Sequence, residues 1–488
     1  MTGHPSATDV AEILGAAPTR AFVAGEWVDT GRTFPVDDPA TAAPIAEVAD
    51  VDAALALDAV AAADAAQPSV AALPARDRGE LLRRVFELLR RDRERLAVLM
   101  TMEMGKPLAE SRGEVDYASE FFRWFSEEAA RIDGGYRRAP SGNGRILVLR
   151  RPVGPCLLIT PWNFPLAMGA RKIAPAIAAG CTSIVKPAGL TPLTMLALAE
   201  LVAEAGAPPG LLSVIPTTDS GATTGPLIAD DRLRKLSFTG STPVGRTLLR
   251  QAADRVLRVS MELGGNAPFI VFEDADLDAA VDGAALAKLR NGGEACRSAN
   301  RFLVHEAVAD PFTARLTERM AALTVGPGID PGVDQGPLID AGAVDRVTGW
   351  IAEAADAGAD VRLGGGPIDR PGHFVQPTVV VGAPRGSRLD ADEIFAPVAA
   401  VSTFADEEDA IRRANDTPYG LIAYVYTRGL DRALRVSEAL ETGMVGLNRG
   451  VVSDPAAPFG GVKQSGLGRE GGAEGIDEYL ETTYVGLP

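Results

Sequence analysis

Four short apolar runs, Cys156–Thr160, Thr182–Val185, Leu212–Ile215 and Leu236–Thr239, are each followed by a stretch of helical periodicity, and Val256–Met261 makes a fifth. Buried strands that alternate with helices in this way form a parallel, doubly wound α/β sheet. Ligands of such sheets bind at the carboxyl ends of the strands, where this sequence collects its Pro, Gly and Asn residues. A second α/β unit runs from Gly265 to about Gly446, with runs at Phe269–Phe272 and Val398–Phe404. Ahead of both, Asp77–Met104 carries leucines at helical spacing and predicts one amphipathic helix or a broken pair. Gly113–Ile132 predicts another helix, whose Phe121, Phe122, Trp124 and Phe125 read as packing residues. Gly134–Arg151 and Tyr479–Val485 read as extended, Gly446–Gly475 as a long functional loop or an irregular cover, and the first ten residues as a loose polar arm.

Hydrophobic residues make up 46% of the 488, enough for a large core. The net charge of −17 argues against nucleic acid or an anionic membrane surface as a main partner. No apolar run is long enough to span a bilayer, and the N-terminus does not read as a secretion signal, so a cytoplasmic enzyme is expected. Three cysteines in so long a chain make no disulfide framework. The three histidines (His4, His305, His373) lie far apart, which leaves no expected metal site and no Ser-His-Asp triad. A literal G-x-G-x-x-G at Gly466, Gly468 and Gly471 follows no clear strand and has too little chain after it for a dinucleotide-binding βαβ unit.

Two residues carry chemistry on their own terms. Cys296 lies in the polar, glycine-rich Asn291–Ser298 next to a cation, the setting of a reactive thiol, whereas Cys156 and Cys181 begin apolar strands as small core residues. Glu262 ends the fifth run among apolar residues, so it is either paired structurally or held with a raised pKa for proton transfer.

Pro161-Trp162-Asn163-Phe164-Pro165, Lys186-Pro187-Ala188, Phe238-Thr239-Gly240-Ser241 with Gly245, Glu262-Leu263-Gly264-Gly265, Cys296, Glu393-Ile394-Phe395 and Pro458-Phe459-Gly460-Gly461 occur in this order. The set resembles the NAD(P)-dependent aldehyde dehydrogenase superfamily over nearly the whole chain. The resemblance implies a cofactor-binding domain (1–130 and 153–264), a catalytic domain (265–446), an active-site loop region (447–475) and a small β oligomerisation element (131–152 and 476–488) that builds a homodimer or homotetramer. It implies Cys296 as the nucleophile, Asn163 and the Cys296 N–H as oxyanion donors, and Glu262 as the base that activates water. Thr160, Pro161, Trp162, Lys186, Ala188, Gly189, Gly240, Ser241, Gly245, Leu263, Glu393 and Phe395 would surround the cofactor. NAD-preferring members often carry a glutamate at the position of Gly189; its absence beside Lys186 favours NADP, with NAD possible.

The stretch Glu262–Phe272 and the run Pro458–Glu470 are similar to the succinate-semialdehyde dehydrogenase branch. That branch holds its substrate's far carboxylate with two arginines and a serine, and Arg171, Arg290 and Ser453 fill those positions. A small carboxy-aldehyde, succinate semialdehyde or a close ω-carboxy relative, is the expected substrate. Glutarate semialdehyde is one methylene longer and remains an alternative. A thioester or ester hydrolase without redox chemistry, and a non-catalytic binding protein, are the rivals of other classes. Three departures stand out: Glu294 for the usual glutamine, which would raise the thiol pKa if it pointed inward; Ala396 for a glycine, strained if its φ is positive; and Ser298 where several relatives carry a second cysteine.

Overall fold

The computed structural model describes residues 4–488. All five strands expected from the apolar runs form: β1 (Cys156–Ile159), β2 (Ser183–Lys186), β3 (Leu212–Val214), β4 (Lys235–Thr239) and β5 (Arg258–Glu262). They are parallel and ordered β5-β4-β1-β2-β3, and every residue of β1, β2, β3 and β4 is buried. Burial on both faces is why these strands read as continuous apolar runs. The chain moves outward from β1 to β3, then returns to the other side of β1 as β4. Between β1 and β4 the winding reverses, and the carboxyl ends there are Thr160–Asn163 and Gly240–Ser241.

The fifth run starts later than expected. Val256 has a φ of 51° and is 89% exposed, so it belongs to the preceding turn. Gly466–Leu467, inside the misleading glycine motif, pairs antiparallel with Met261 and Glu262 and covers the outer edge of β5. On the opposite edge Ala21–Val23 pairs antiparallel with β3.

A second, seven-stranded sheet contains Asp360–Leu363, Thr378–Val381, Val398–Phe404, Ala299–His305, Ala267–Val271, Ile422–Tyr426 and Met444–Leu447, in that spatial order. Its neighbours are parallel except for the antiparallel edge pair that includes Asp360–Leu363. A separate antiparallel sheet joins Leu480–Leu487 to Arg145–Pro152, with Gly135–Arg138 on its far side. Together these sheets give the α/β architecture expected from the sequence: two largely parallel units and a small β element.

The leucine-rich stretch is a broken pair of helices, Ala75–Arg91 and Arg93–Met104, which meet at Asp92. Leu81, Leu82, Val85 and Leu89 of the first face the core. The helix Ala167–Ala179 is buried at all of its residues, which explains its lack of a polar face. One expectation fails at the start of the chain. The supposed polar arm contains the helix Ala7–Gly15, opened by a reciprocal capping box between Ser6 and Asp9. Its Val10, Ile13 and Leu14 pack on the large core, an apolar set too short to stand out by periodicity.

Candidate active site

Asn163, Cys296 and Glu262 come from three different elements. Asn163 lies in the turn after β1, where its Nδ2 donates to the Glu294 carbonyl at 2.8 Å. Asn291, in the left-handed region with a φ of 58°, donates to both the Asn163 and Glu294 carbonyls, at 3.0 and 3.1 Å. These bonds tie the turn after β1 to the loop that carries Cys296.

A buried ion pair supports the same turn. Lys106 Nζ donates to Glu114 Oε2 at 2.6 Å and to the Asn163 carbonyl at 2.7 Å. Glu114 Oε1 accepts from the Leu166 and Ala167 N–H groups, both at 3.0 Å, at the start of the buried helix. Removing one member of a buried, hydrogen-bonded pair strands the other charge. Lys106→Met is therefore expected to lower unfolding stability by roughly 3–5 kcal/mol, read from urea melts. A loss below about 1 kcal/mol would show that the pair contributes little.

Cys296 opens onto a narrow pocket lined by Tyr117, Phe164, Met168, Arg171, Arg297, Ser453 and Phe459. Burial pushes the thiol up to about 12; the Glu393 and Glu262 charges add to this, and Arg297 and Arg171 oppose it. The backbone of this loop sits tightly against its neighbour: a Cβ on Gly265 would come 2.5 Å from the Cys296 carbonyl oxygen.

Glu262 sits at the end of β5, 4% exposed, and neither carboxyl oxygen has a hydrogen-bond partner. Burial raises its pKa well above the usual carboxylate range, and the Glu470 charge adds to this. Arg171, Lys172 and Arg469 pull the other way. Such a carboxyl is not a structural ion-pair member; its protonation is open to change by whatever enters beside it.

Arg171 is 2% exposed, with Nε 2.8 Å from Glu470 Oε2 and Nη2 without a partner. Its guanidinium lies 3.9 Å from the Phe459 ring centroid and 5.5 Å from that of Phe121. Phe121 thus packs as expected and also forms a wall behind the arginine. Ser453 Oγ and Tyr117 Oη are hydrogen-bonded at 2.5 Å across the pocket. Arg290 is not among the residues that line this pocket; its guanidinium lies 5.9 Å from the Phe164 ring centroid, against 5.8 Å for that of Arg297. Sequence reasoning missed Tyr117, Met168 and the lining role of Arg297. The one signal available was Arg297 as the cation adjoining Cys296.

At the winding reversal, Lys186 ends β2 with a side chain that is almost wholly buried and has no acidic partner among the described residues. Burial alone brings it down to about 8. Thr160 donates its N–H to the Lys186 carbonyl at 3.1 Å. Trp162 meets Phe395 edge to face, with centroids 5.5 Å apart. The helix Thr242–Ala253 begins after Ser241, whose side chain forms no cap hydrogen bond, so the first N–H groups point free of it. Gly245 is set by packing, because a Cβ there would meet Leu263 Cδ2 at 2.4 Å. Glu393 Oε1 accepts from the Gly265 N–H at 3.1 Å, and burial raises Glu393 to about 7. Ala188 and Gly189 follow Lys186 on the rim, and a Cβ on Gly189 would meet only the Thr217 carbonyl and the Phe34 ring edge. A lone buried cation, a free helix N-terminus and a side-chain-free rim fit a phosphate-bearing dinucleotide.

A match to the aldehyde dehydrogenase family spans residues 27–485. The chain belongs to that family. It is 57% identical over 445 residues to a succinate-semialdehyde dehydrogenase of Paenarthrobacter nicotinovorans, covering 91% of this chain and 98% of that protein. A glutarate-semialdehyde dehydrogenase of Pseudomonas aeruginosa is 49% identical over 470 residues, covering 96% and 97%. Among solved structures, an NADP-dependent enzyme of Escherichia coli superposes with a TM-score of 0.95 at 47% identity, covering 96% of this chain and 98% of that one.

As an aldehyde dehydrogenase, the chain departs from the family pattern in ways the structure explains. Glu294 accepts a hydrogen bond from the Ile339 N–H at 3.1 Å, and burial raises its pKa well above the carboxylate range. The carboxyl is turned to that N–H group, and the carboxylate charges that raise the Cys296 pKa are those of Glu393 and Glu262. Ala396 is not in the left-handed region; the strained residue is its neighbour Phe395, with a φ of 52°. Ser298 Oγ donates to the Lys288 carbonyl at 3.2 Å, filling its place with a structural bond. Among the described residues no helix is long and apolar enough to cross a membrane, and no cluster of metal-ligating side chains occurs.

Proposed function

We propose that this aldehyde dehydrogenase oxidises succinate semialdehyde, or a close ω-carboxy aldehyde, to the corresponding acid, with NADP preferred over NAD. The observation that carries the substrate class is the unpartnered Nη2 of buried Arg171, in one pocket with Ser453 and the Cys296 thiol. A desolvated guanidinium nitrogen without an acceptor calls for an anionic group on the ligand. The names of the relatives above support the same class and leave the four- and five-carbon semialdehydes both open.

In this reading Cys296 attacks the aldehyde carbon and forms a thiohemiacetal. The oxyanion takes hydrogen bonds from the Cys296 N–H and from Asn163 Nδ2, released from the Glu294 carbonyl. Bound NAD(P)+ supplies the hydride acceptor. The thioester left on Cys296 is hydrolysed by a water that Glu262 deprotonates. Lys186, Ala188, Gly189, Gly240, Ser241 and the helix start behind them would hold the ribose and phosphates, with Thr160, Pro161, Trp162, Leu263 and Phe395 as walls and Glu393 on the nicotinamide ribose. Residues 1–130 and 153–264 act as the cofactor-binding unit and 265–446 as the catalytic unit. The antiparallel sheet built from 131–152 and 476–488 leaves Tyr136 and Tyr484 exposed, which supports a homodimer or homotetramer through that element.

Initial rates with succinate semialdehyde and with butanal, each with NADP and with NAD, test the proposal. A kcat/KM ratio of roughly 100 in favour of the semialdehyde is expected, from the loss of one or two charged hydrogen bonds. Equal rates would remove the substrate claim, and a preference for NAD would remove the cofactor claim.

A further inference from the structure

Lys288 is a fully buried cation that none of the reaction steps above uses. It lies in the last turn of the helix Leu277–Leu289, directly ahead of the loop that carries Cys296. From this one position it bonds to two residues beyond the cysteine. Its Nζ donates to Asn300 Oδ1 at 3.0 Å, and its carbonyl accepts from Ser298 Oγ at 3.2 Å. The loop between is therefore closed on itself across Lys288. At Gly293, with a φ of 78°, the loop backbone lies so close to the Ala396 carbonyl that a Cβ would overlap it. That contact seats the loop against the segment that holds Glu393. Lys288 forms no ion pair among the described residues, although a buried ammonium is costly to leave without a counter-charge. Burial lowers it to about 7, and the Glu393 charge opposes that. On Glu393, in turn, the Gly265 N–H and the charges of Lys288 and Arg346 oppose burial. The Glu393 charge also bears on the Cys296 thiol and the Tyr419 phenol.

We propose that Lys288 is a positioning residue for the oxidation: it closes the Cys296 loop and sets a positive charge toward Glu393, so that one side chain supports both the thiol and the cofactor's ribose acceptor. This rests on the reading of Glu393 as the acceptor for the nicotinamide ribose. Hydroxyl donors bond more strongly to a carboxylate than to a neutral carboxyl group. A cation that favours the ionised Glu393 therefore strengthens cofactor binding. Without it the carboxyl stays protonated to higher pH, and NADP binds well only once the pH has risen further.

The test follows kcat and the KM for NADP from pH 6 to about 9 in the wild type and in K288Q, K288M, N300A and E393Q. K288Q removes the charge and keeps a donor toward Asn300, whereas N300A removes the acceptor and keeps the charge. In K288Q and K288M the KM for NADP at neutral pH is expected to rise about tenfold, and the pH at which it begins to climb to move up by about one unit. N300A is expected to keep the wild-type profile and, like K288M, to lower kcat several-fold. E393Q should bind NADP weakly at every pH, with no profile left to displace. K288Q and K288M with the wild-type profile would overturn the inference while E393Q still upheld the ribose reading. A displacement as large in N300A would assign the effect to loop packing and overturn it as well, as would an unaltered kcat in both N300A and K288M. A wild-type KM for NADP in E393Q would remove the ribose reading and the inference together. Should the Lys288 variants not fold, N300D decides, because its carboxylate neutralises Lys288 in place: the same upward displacement supports the inference, and an unmoved profile overturns it.

Discussion

Cys296→Ala is expected to abolish NADPH formation from any aldehyde, by about 10^4-fold or more, because no second group in the pocket can carry the acyl intermediate. Cys156 and Cys181 are fully buried in the core and cannot substitute. Cofactor binding should survive, since Lys186, Gly240 and Ser241 lie on other elements, and quenching of Trp162 fluorescence by NADPH would show it. The free enzyme should also show an unusual pH response. Burial first, then the Glu393 charge, pushes the thiol up to about 12. A group with a pKa this high is a protonated thiol at neutral pH, and each unit of added pH raises the thiolate fraction tenfold until the pKa is reached. Alkylation of Cys296 by iodoacetamide in the cofactor-free enzyme should therefore climb without a plateau from pH 7 to about 10. A plateau below pH 9 would mean that Arg297 and Arg171 outweigh burial.

Glu262→Gln is the second large effect, and it separates the two halves of the reaction. The amide cannot deprotonate water, so hydrolysis of the thioester should slow by about 10^2- to 10^4-fold. Thiohemiacetal formation and hydride loss do not need Glu262. Stopped-flow mixing should show a burst of NADPH near one equivalent per active site, followed by a slow steady rate. In the wild type the raised pKa of Glu262 means that the carboxyl is protonated at low pH and serves as a base only as the pH rises, so the deacylation rate should increase with pH. Loss of the burst together with the steady rate would assign Glu262 to the acylation half instead.

Much of this was legible because its signals are local. Five buried strands show as five apolar runs, and Glu262 stands out as a charge at the end of one. Cys296 stands out from Cys156 and Cys181 by its glycines and its polar neighbours. What escaped depends on contacts between distant positions. Tyr117 and Ser453 are 336 residues apart yet share a hydrogen bond. Tyr117 lies four residues before Phe121 and meets its ring edge to face, so helical spacing marks it as one more packing residue and not as a pocket donor. Whether Ala396 is strained depended on its φ, which a substitution pattern does not report; the positive φ lies at Phe395.

The edge strand Gly466–Leu467 and the loop before it have a bearing on biosynthesis. Ser453, Phe459 and the Gly466 partner of Glu262 all follow the last strand of the second sheet. A nascent chain can therefore assemble both parallel sheets, and bring Asn163, Glu262 and Cys296 together, while one wall of the pocket has not yet been synthesised. During that interval the outer edge of β5 is unpaired and Arg171 lacks Glu470, leaving the growing chain with an open strand edge and an uncompensated buried cation. Translation of the segment from Ser453 to Glu470 closes both at once, so the step that completes the catalytic pocket also covers the outer edge of β5, while Arg145–Pro152 still waits for its partner Leu480–Leu487.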